Sequence, residues 1–344
     1  MTEELRNYLR CCIAIDSMED LCNSINEIGP YVSGLAISNP MSVLRLHNYT
    51  FVGARRDAYR QFQIPKKSGG MRTITAPDGE LKDIILALAF ILNELYIPTP
   101  EAMAFIPGRS IVENANQHIG QNYVLNLDLS DFFTSITANM VERNLVKLGI
   151  APLVARDIAT ICTYPTTADH HVLNVVPQGA PTSPVISNIC AMTLDNRLSG
   201  LARRFHVTYT RYADDITFSS NHNAYQKDGE FMKELYRIIN ECHFTINPQK
   251  TRLQKRGSRQ EVTGITVNQR TNISRKYIKN LRVQIHKIKH QESPTMHDIN
   301  VVRGKLNFLR MVKGAEDSTY VNYIKKLKHS CKRKAFCITL LQMI

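Results

Sequence analysis

Apolar residues recur at helical intervals at both ends of the chain. Near the start, the spacing predicts that residues 1 to about 60 are helical, through Leu5, Leu9, Ile13, Leu21 and Ile25. From about residue 274 the pattern is purely helical and basic, with one apolar face formed by Ile278, Leu281, Ile285 and Ile288. The chain therefore begins and ends in helices.

The centre interleaves helices with strands, which indicates an α+β fold. Helices are predicted at about 81–95, 114–118 (capped by Ser110), 137–163, 185–204 and 228–242. A hairpin with a Lys-Ser-Gly-Gly turn is predicted at 63–77, and a short strand pair at 244–246 and 262–267. Residues 123–128 predict a buried central strand, and 208–219 a strand, a tight turn and a strand.

Aspartates stand at the ends of these central strands. Asp214 and Asp215 occupy the tip of the 208–219 hairpin, and Asp128 ends the 123–128 strand. An Asp-Asp pair can be ordinary turn chemistry on a wet surface. Two strands that deliver carboxylates to one edge of a sheet instead predict a site for two divalent cations that catalyses phosphoryl transfer. Magnesium suits such hard oxygen ligands best, with manganese as a possible substitute.

Composition narrows the class of partner. The 344 residues include 43 Lys and Arg against 30 Asp and Glu, a net charge of +13, which favours nucleic acid first and an anionic membrane surface second. The longest apolar run, 84–92, is too short for a membrane helix, and no signal peptide is visible. The eight cysteines form no Cys-x-x-Cys pair, so we expect reduced thiols in a cytoplasmic protein without a zinc site.

The order and spacing of these motifs resemble those of reverse transcriptases, strongly over about residues 60–270 and weakly in the C-terminal helices. The resemblance implies a right-hand polymerase. Its expected parts are an N-terminal helical extension (1–60), fingers with part of the palm (61–122), a palm (123–270) and a basic helical thumb that binds RNA (271–344).

The resemblance also implies roles for the acidic cluster. Asp128 and Asp214 match metal ligands of the family, Asp215 a supporting carboxylate, and the Leu129 carbonyl a further ligand. Lys250 stands where polymerases place a lysine that can protonate the pyrophosphate leaving group.

A deoxynucleoside triphosphate pocket is implied in the same way. Phe133, five residues after Asp128, matches a bulky steric gate against the ribonucleotide 2′-hydroxyl. Arg72 suits the triphosphate because its guanidinium is a planar fork. The other residues assigned to this pocket are Lys66, Asp131, Phe132, Gln178 and Gly179, although Phe132 also suits the core and Lys66, like Lys67, a solvated turn.

Two further matches resemble retron reverse transcriptases. Asn114 to His118 fits an Asn-Ala-x-x-His motif, and Val262-Thr263-Gly264 fits a Val-Thr-Gly motif. We assign both to RNA binding, although Asn114 and His118 could instead brace the fold. A retron enzyme copies part of its own structured noncoding RNA, primes from a guanosine 2′-hydroxyl and leaves a branched RNA–DNA product. In the family this product belongs to an anti-phage defence unit with a separate effector protein.

The basic C-terminal region supports an RNA partner on physical grounds. Arg275, Lys276, Lys279 and Arg282 lie on the predicted helix, and 325–334 adds a second basic patch. A solvated basic face is the plain alternative. Two other functions remain open: a reverse transcriptase of a group II intron or diversity-generating lineage, and a non-catalytic RNA-binding protein on a polymerase scaffold. Intact aspartates favour the enzyme.

Overall fold

The aspartate-bearing strands are neighbours in one sheet of the computed structural model, which describes residues 1–33, 40–66, 69–168, 171–291 and 295–331. The helices are α1 (Glu3–Cys11), α2 (Met18–Val32), α3 (Val43–Asn48), α4 (Val52–Asp57), α5 (Gly79–Leu95), α6 (Ile111–Asn116), α7 (Ala138–Lys147), α8 (Pro152–Ile161), α9 (Ser183–Arg204), α10 (Glu230–Glu241), α11 (Arg275–His290), α12 (Met296–Lys313) and α13 (Ser318–Cys331). The strands are β1 (Tyr59–Pro65), β2 (Met71–Pro77), β3 (Tyr123–Asp128), β4 (Tyr164–Ala168), β5 (His171–Val175), β6 (Thr208–Tyr212), β7 (Asp215–Ser220), β8 (Arg252–Lys255), β9 (Glu261–Val262) and β10 (Ile265–Thr266).

The central sheet is antiparallel and has four strands in the order β6-β7-β3-β8. The sequence predicted β3 as a central strand, and the structure confirms this, because β3 pairs with β7 on one side and β8 on the other. The alternation of helices and antiparallel strands confirms the α+β class.

The hairpin predicted at 63–77 is also confirmed as β1 and β2, paired from Tyr59 with Pro77 to Pro65 with Met71. Part of its expected turn, Lys67 and Ser68, lies outside the described residues. Ser110 caps α6 as predicted, since its Oγ accepts hydrogen bonds from the amides of Val112 and Glu113.

The helices predicted at about 137–163 are α7 and α8, separated at Gly149, where φ is +95°. The sequence predictions were wrong at one strand and missed another. Residues 244–246 do not form a strand; Phe244 packs in the core and Ile246 makes only an isolated bridge to Leu129. The sheet edge is instead β8, whose mostly polar sequence gave no strand signal.

Two hydrophobic cores hold these elements. The main core joins α1, α2, α3 and α5 to the helices and strands around the sheet, so these N-terminal helices pack as part of the main body; residues 34–39 of the predicted helical segment lie outside the described residues. The second core unites the C-terminal helices α11–α13 with Val262, Ile265 and Val267. Packing is therefore continuous across residue 270. None of the helices within the described ranges is long and apolar enough to cross a membrane.

Candidate active site

Backbone pairing brings the three aspartates to one edge of the central sheet. Asp128, the last residue of β3, pairs directly with Asp215, the first residue of β7. Tyr212 pairs with Asp215, so Ala213 and Asp214 alone form the turn between β6 and β7. Ala213 holds a left-handed φ of +57°, and the Leu129 amide donates to the Asp214 carbonyl oxygen at 3.0 Å. The turn is thereby fixed to the end of β3.

The surroundings of these carboxylates disfavour their ionised forms. Desolvation in the cleft, together with Asp214 and Asp128, raises the pKa of Asp215 to about 6. Its side chain is still exposed, so water reaches it although much of its surroundings is protein. Desolvation and then Asp128 also raise the pKa of Asp214. Repulsion of this kind is relieved by a cation, and it marks the cluster as a functional candidate.

Two basic side chains face the cluster. Lys250 Nζ donates to Asp128 Oδ2 at 2.8 Å, and this hydrogen bond raises the lysine pKa. The positive charge of Arg72, on β2, partly opposes the rise in the Asp214 pKa, which places the guanidinium near the turn. Lys250 is more than half exposed and is free to move away from Asp128. The cleft thus collects the predicted acidic and phosphate-binding residues.

The donor set fits a hard divalent cation. Asp128, Asp214 and Asp215 offer only carboxylate oxygens, and the Leu129 backbone adjoins them through its hydrogen bond to Asp214. Within the described ranges, no three His, Cys, Asp or Glu side chains converge on a preassembled metal site. Lys250 occupies one oxygen of Asp128, so a metal would have to replace that ion pair.

The residues predicted around the sugar separate into different environments. Phe133 is half-buried and its ring lies 6.4 Å from that of Phe105, centroid to centroid. Asp131 is exposed with φ of +49°. Phe132 is only 3% exposed and packs between Phe133 and Phe244, so assigning it to nucleotide contact was wrong and its role is core packing.

The β1–β2 hairpin is docked on the loop that contains Gln178 and Gly179. The Thr75 amide on β2 donates to the Gln178 carbonyl oxygen at 2.9 Å. Gly179 has φ of +130°, and a Cβ there would lie 2.7 Å from the Ile74 side chain and 3.1 Å from the Thr75 carbonyl oxygen. Glycine is needed at this close approach. Arg72, Gln178 and Gly179 thus belong to one structural unit, whereas Lys66 is exposed at the hairpin end.

The two motifs assigned to RNA binding lie mostly inside the protein. His118 is fully buried, and its ring nitrogens pair with the hydroxyls of Ser219 and Thr210 at 2.7 and 2.8 Å. Asn114 and Val262 are also buried. Direct RNA contact by these three side chains does not fit this structure, because none reaches the surface; the alternative role, bracing the fold, does.

Only the tip of the Val-Thr-Gly motif reaches solvent. Thr263 and Gly264 form the turn between β9 and β10 with φ of +48° and +80°, and Gly264 is exposed. Thr263 Oγ1 donates to the Ile111 carbonyl oxygen at 3.3 Å and lies 3.5 Å from Asn114 Nδ2. The two motifs therefore join helix α6 to the β9–β10 turn.

Four basic side chains of α11 are accessible to a partner. Arg275, Lys276, Lys279 and Arg282 are all exposed on α11, and none forms an ion pair with a described acidic side chain. Leu281, Ile285 and Ile288 are buried as predicted. Of the second basic patch, residues 332–334 lie outside the described ranges.

Sequence reasoning missed a buried ion pair behind the aspartate turn. Arg211, three residues before Asp214, binds Asp195 of α9 through Nε and Nη2, each at 2.7 Å, with both side chains fully buried. Its Nη1 also donates to the Ala213 carbonyl oxygen at 3.1 Å. The signal was an arginine inside an otherwise apolar and β-branched strand, where a charge requires a partner.

Comparison with known proteins places this geometry in a family. Residues 64–293 match the model of the family "Reverse transcriptase (RNA-dependent DNA polymerase)". The Retron Mx65 reverse transcriptase of Myxococcus xanthus is 36% identical over 287 residues, which cover 80% of this chain and 66% of that protein. The Retron Ec86 reverse transcriptase of Escherichia coli is 36% identical over 274 residues, covering 78% of this chain and 81% of that protein.

Proposed function

This chain belongs to the retron reverse transcriptases, a family of RNA-dependent DNA polymerases with a right-hand fold, and from that premise we propose how its site works. It polymerises deoxynucleoside triphosphates on an RNA template, and Mg²⁺ is the cofactor. The observation that carries the proposal is the direct pairing of Asp128 with Asp215 beside the Asp214 turn. That pairing places the three aspartates at the same end of the central sheet.

The proposed reaction is attack of a ribose hydroxyl on the α-phosphate of the incoming nucleotide, with pyrophosphate leaving. Bound at the aspartates, the divalent cations would lower the pKa of the attacking hydroxyl and neutralise the leaving group. Asp128 and Asp214 would hold them, with Asp215 in support and the Leu129 carbonyl as a further ligand. Lys250, released from Asp128, protonates the pyrophosphate.

The surrounding residues select and orient the nucleotide. The Arg72 guanidinium binds the triphosphate, because its planar fork can make two hydrogen bonds to phosphate oxygens. Lys66 adds positive charge at the end of the same hairpin, and Asp131 borders the pocket. Gln178 and Gly179 lie against the nucleotide and template base, and Phe133 occupies the space that a 2′-hydroxyl would need.

The template is proposed to be the chain's own structured noncoding RNA, held by the exposed cations of α11 and the Thr263–Gly264 turn. The first attack comes from a guanosine 2′-hydroxyl and gives a branched RNA–DNA molecule that serves an anti-phage unit with a separate effector protein, in the cytoplasm. Support comes from the names of the relatives and from four exposed cations without ion-pair partners among the described residues.

One experiment tests both levels of the proposal. The protein is expressed with its native upstream genomic flank, and the nucleic acid that copurifies is treated with ribonuclease and a 2′-5′ debranching enzyme, then sized on a denaturing gel. We expect short single-stranded DNA whose mobility shifts on debranching. Asp214→Asn should yield bound RNA without DNA, whereas the matched control Asp228→Asn, an exposed aspartate outside the site, should behave as wild type.

The outcomes separate the activity from the priming mode. Linear DNA would keep the polymerase but reject the 2′-hydroxyl primer. DNA made by Asp214→Asn at the wild-type level would reject the metal assignment. RNA alone from the wild-type protein would favour a binding role.

A further inference from the structure

Phe105 is an exposed aromatic residue in a strained backbone conformation beside the proposed steric gate. Its φ is +62° and its side chain is 43% exposed. A left-handed conformation costs a bulky residue about 1–2 kcal/mol, and burial of the rest of the ring returns about as much. The local backbone therefore does not favour phenylalanine at this position, and a strained position of this kind points to function.

The loop that carries Phe105 is held by several buried hydrogen bonds. The Arg211 amide donates to the Glu101 carbonyl oxygen at 2.8 Å, and the Met103 amide donates to the Arg211 carbonyl oxygen at 2.7 Å. Asn188 Nδ2 donates to the Ala104 carbonyl oxygen at 2.9 Å. Oδ1 of the same Asn188 side chain accepts a hydrogen bond from the Arg211 guanidinium, which also donates to the Ala213 carbonyl oxygen of the aspartate turn. Phe105 is therefore fixed relative to the active-site turn.

Phe105 ends a row of four aromatic rings. Phe244 and Phe132 lie 5.5 Å apart, Phe132 and Phe133 lie 5.5 Å apart, and Phe133 and Phe105 lie 6.4 Å apart, all between ring centroids. Phe244 and Phe132 are buried, so they fix one side of Phe133. Phe105, which is more exposed than the other three rings, is the partner of Phe133 at the opposite end of the row.

We propose that Phe105 is a positioning residue that sets the discrimination between deoxyribonucleotides and ribonucleotides. It holds the Phe133 ring in place and so keeps Phe133 in the space that a 2′-hydroxyl would need. The inference rests on the proposed function, because it takes Phe133 as the gate. It adds that the selectivity of the gate depends on a second aromatic ring from a separate loop.

The test compares incorporation of dGTP and GTP opposite a template cytosine by the full chain, expressed as the ratio of kcat/KM values. Phe105→Gly should lower this ratio about 2- to 10-fold, the range of one aromatic pair contact, mainly through a lower KM for GTP. Glycine accepts the left-handed φ, so the melting temperature should not fall. Phe105→Tyr retains the ring and should retain the ratio. Ile97→Ala, which removes an 81% exposed side chain nearby in sequence, is the matched control.

Phe133→Ala should lower the ratio more, and adding Phe105→Gly to it should have no further effect, because the two residues act through one contact. Additive effects in the double variant, or an unchanged ratio in Phe105→Gly while Phe133→Ala lowers it, would overturn the inference and leave the gate intact. An unchanged ratio in Phe133→Ala would reject the gate itself. Should Phe105→Gly not fold, Phe105→Asn replaces it, since asparagine also tolerates this conformation.

Discussion

The aspartate behind the β6–β7 turn and the two aspartates at that turn have opposite environments. Asp195 is fully buried, and its carboxylate accepts hydrogen bonds from Tyr209, Arg211 and Thr99. Asp214 is half-buried and Asp215 is exposed, and among the described residues neither forms an ion pair. The charge of Asp195 is compensated within the fold, whereas Asp214 and Asp215 require a cation that the chain does not contain.

This difference distinguishes structural charge from functional charge. A buried carboxylate persists only when its partners replace water, as Tyr209 and Arg211 do for Asp195. Asp214 and Asp215 lack such partners, and desolvation together with the neighbouring carboxylates raises the pKa of both. Hydrogen-bond satisfaction, more than acidity or exposure, therefore separates the two sets.

The largest predicted effect comes from breaking the ion pair between Asp195 and Arg211. Asp195→Asn leaves the Arg211 charge buried and uncompensated, so it should lower the free energy of unfolding by about 3–5 kcal/mol. Asp215→Asn should leave that free energy unchanged or raise it, because it removes one of three repelling carboxylates. Urea denaturation of both variants measures the contrast. Equal losses of stability would show that the two environments are energetically alike.

The second prediction concerns His118, a buried side chain whose surroundings favour the neutral imidazole. Burial lowers the pKa of His118 to about 3 in the folded protein, whereas the pKa of histidine in the unfolded chain is near 6.5. Between these two pH values only the unfolded chain binds the proton. Stability is therefore lost as pH falls from about 7, by roughly 2 kcal/mol at pH 5.

Denaturation midpoints at pH 7.5 and pH 5 measure this loss. His118→Gln should be less stable at pH 7.5 but should lose less on acidification than wild type, whereas His297→Gln, at an exposed position, should follow wild type. An identical pH dependence in His118→Gln and wild type would contradict a neutral buried imidazole.

The smallest predicted effect comes from a substitution that fills space beside the β1–β2 hairpin and changes no charge. Gly179→Ala adds a Cβ at φ of +130° against Ile74 and Thr75, a strain of about 1 kcal/mol or more. We expect the fingers hairpin to shift and the KM for dNTP to rise several-fold. Gly53→Ala, where a Cβ meets nothing within 4 Å, is the control. A normal KM in Gly179→Ala would show that the hairpin can move without affecting the nucleotide.

Local sequence patterns predicted the parts of the site whose signals lie within a few residues. The apolar strand that ends in Asp128, the hairpin that carries Asp214 and the hairpin that carries Arg72 each showed strand periodicity with a turn. The prediction failed where the signal was weak or absent: β8 is mostly polar, and the β4–β5 hairpin was not foreseen. Pairing with an established neighbour forms such strands in spite of low propensity.

The sequence by itself determined which residue types were available and at which strand ends they stand, because alternation and turn chemistry are local properties. Only the tertiary structure decided which of these residues meet. It buried His118 and Phe132, paired Arg211 with Asp195, and left Asp214 and Asp215 without ion-pair partners in the described chain. It also brought Phe105 to Phe133 across 28 positions of sequence. Burial and hydrogen-bond satisfaction depend on contacts between distant segments, and no periodicity along the chain records them.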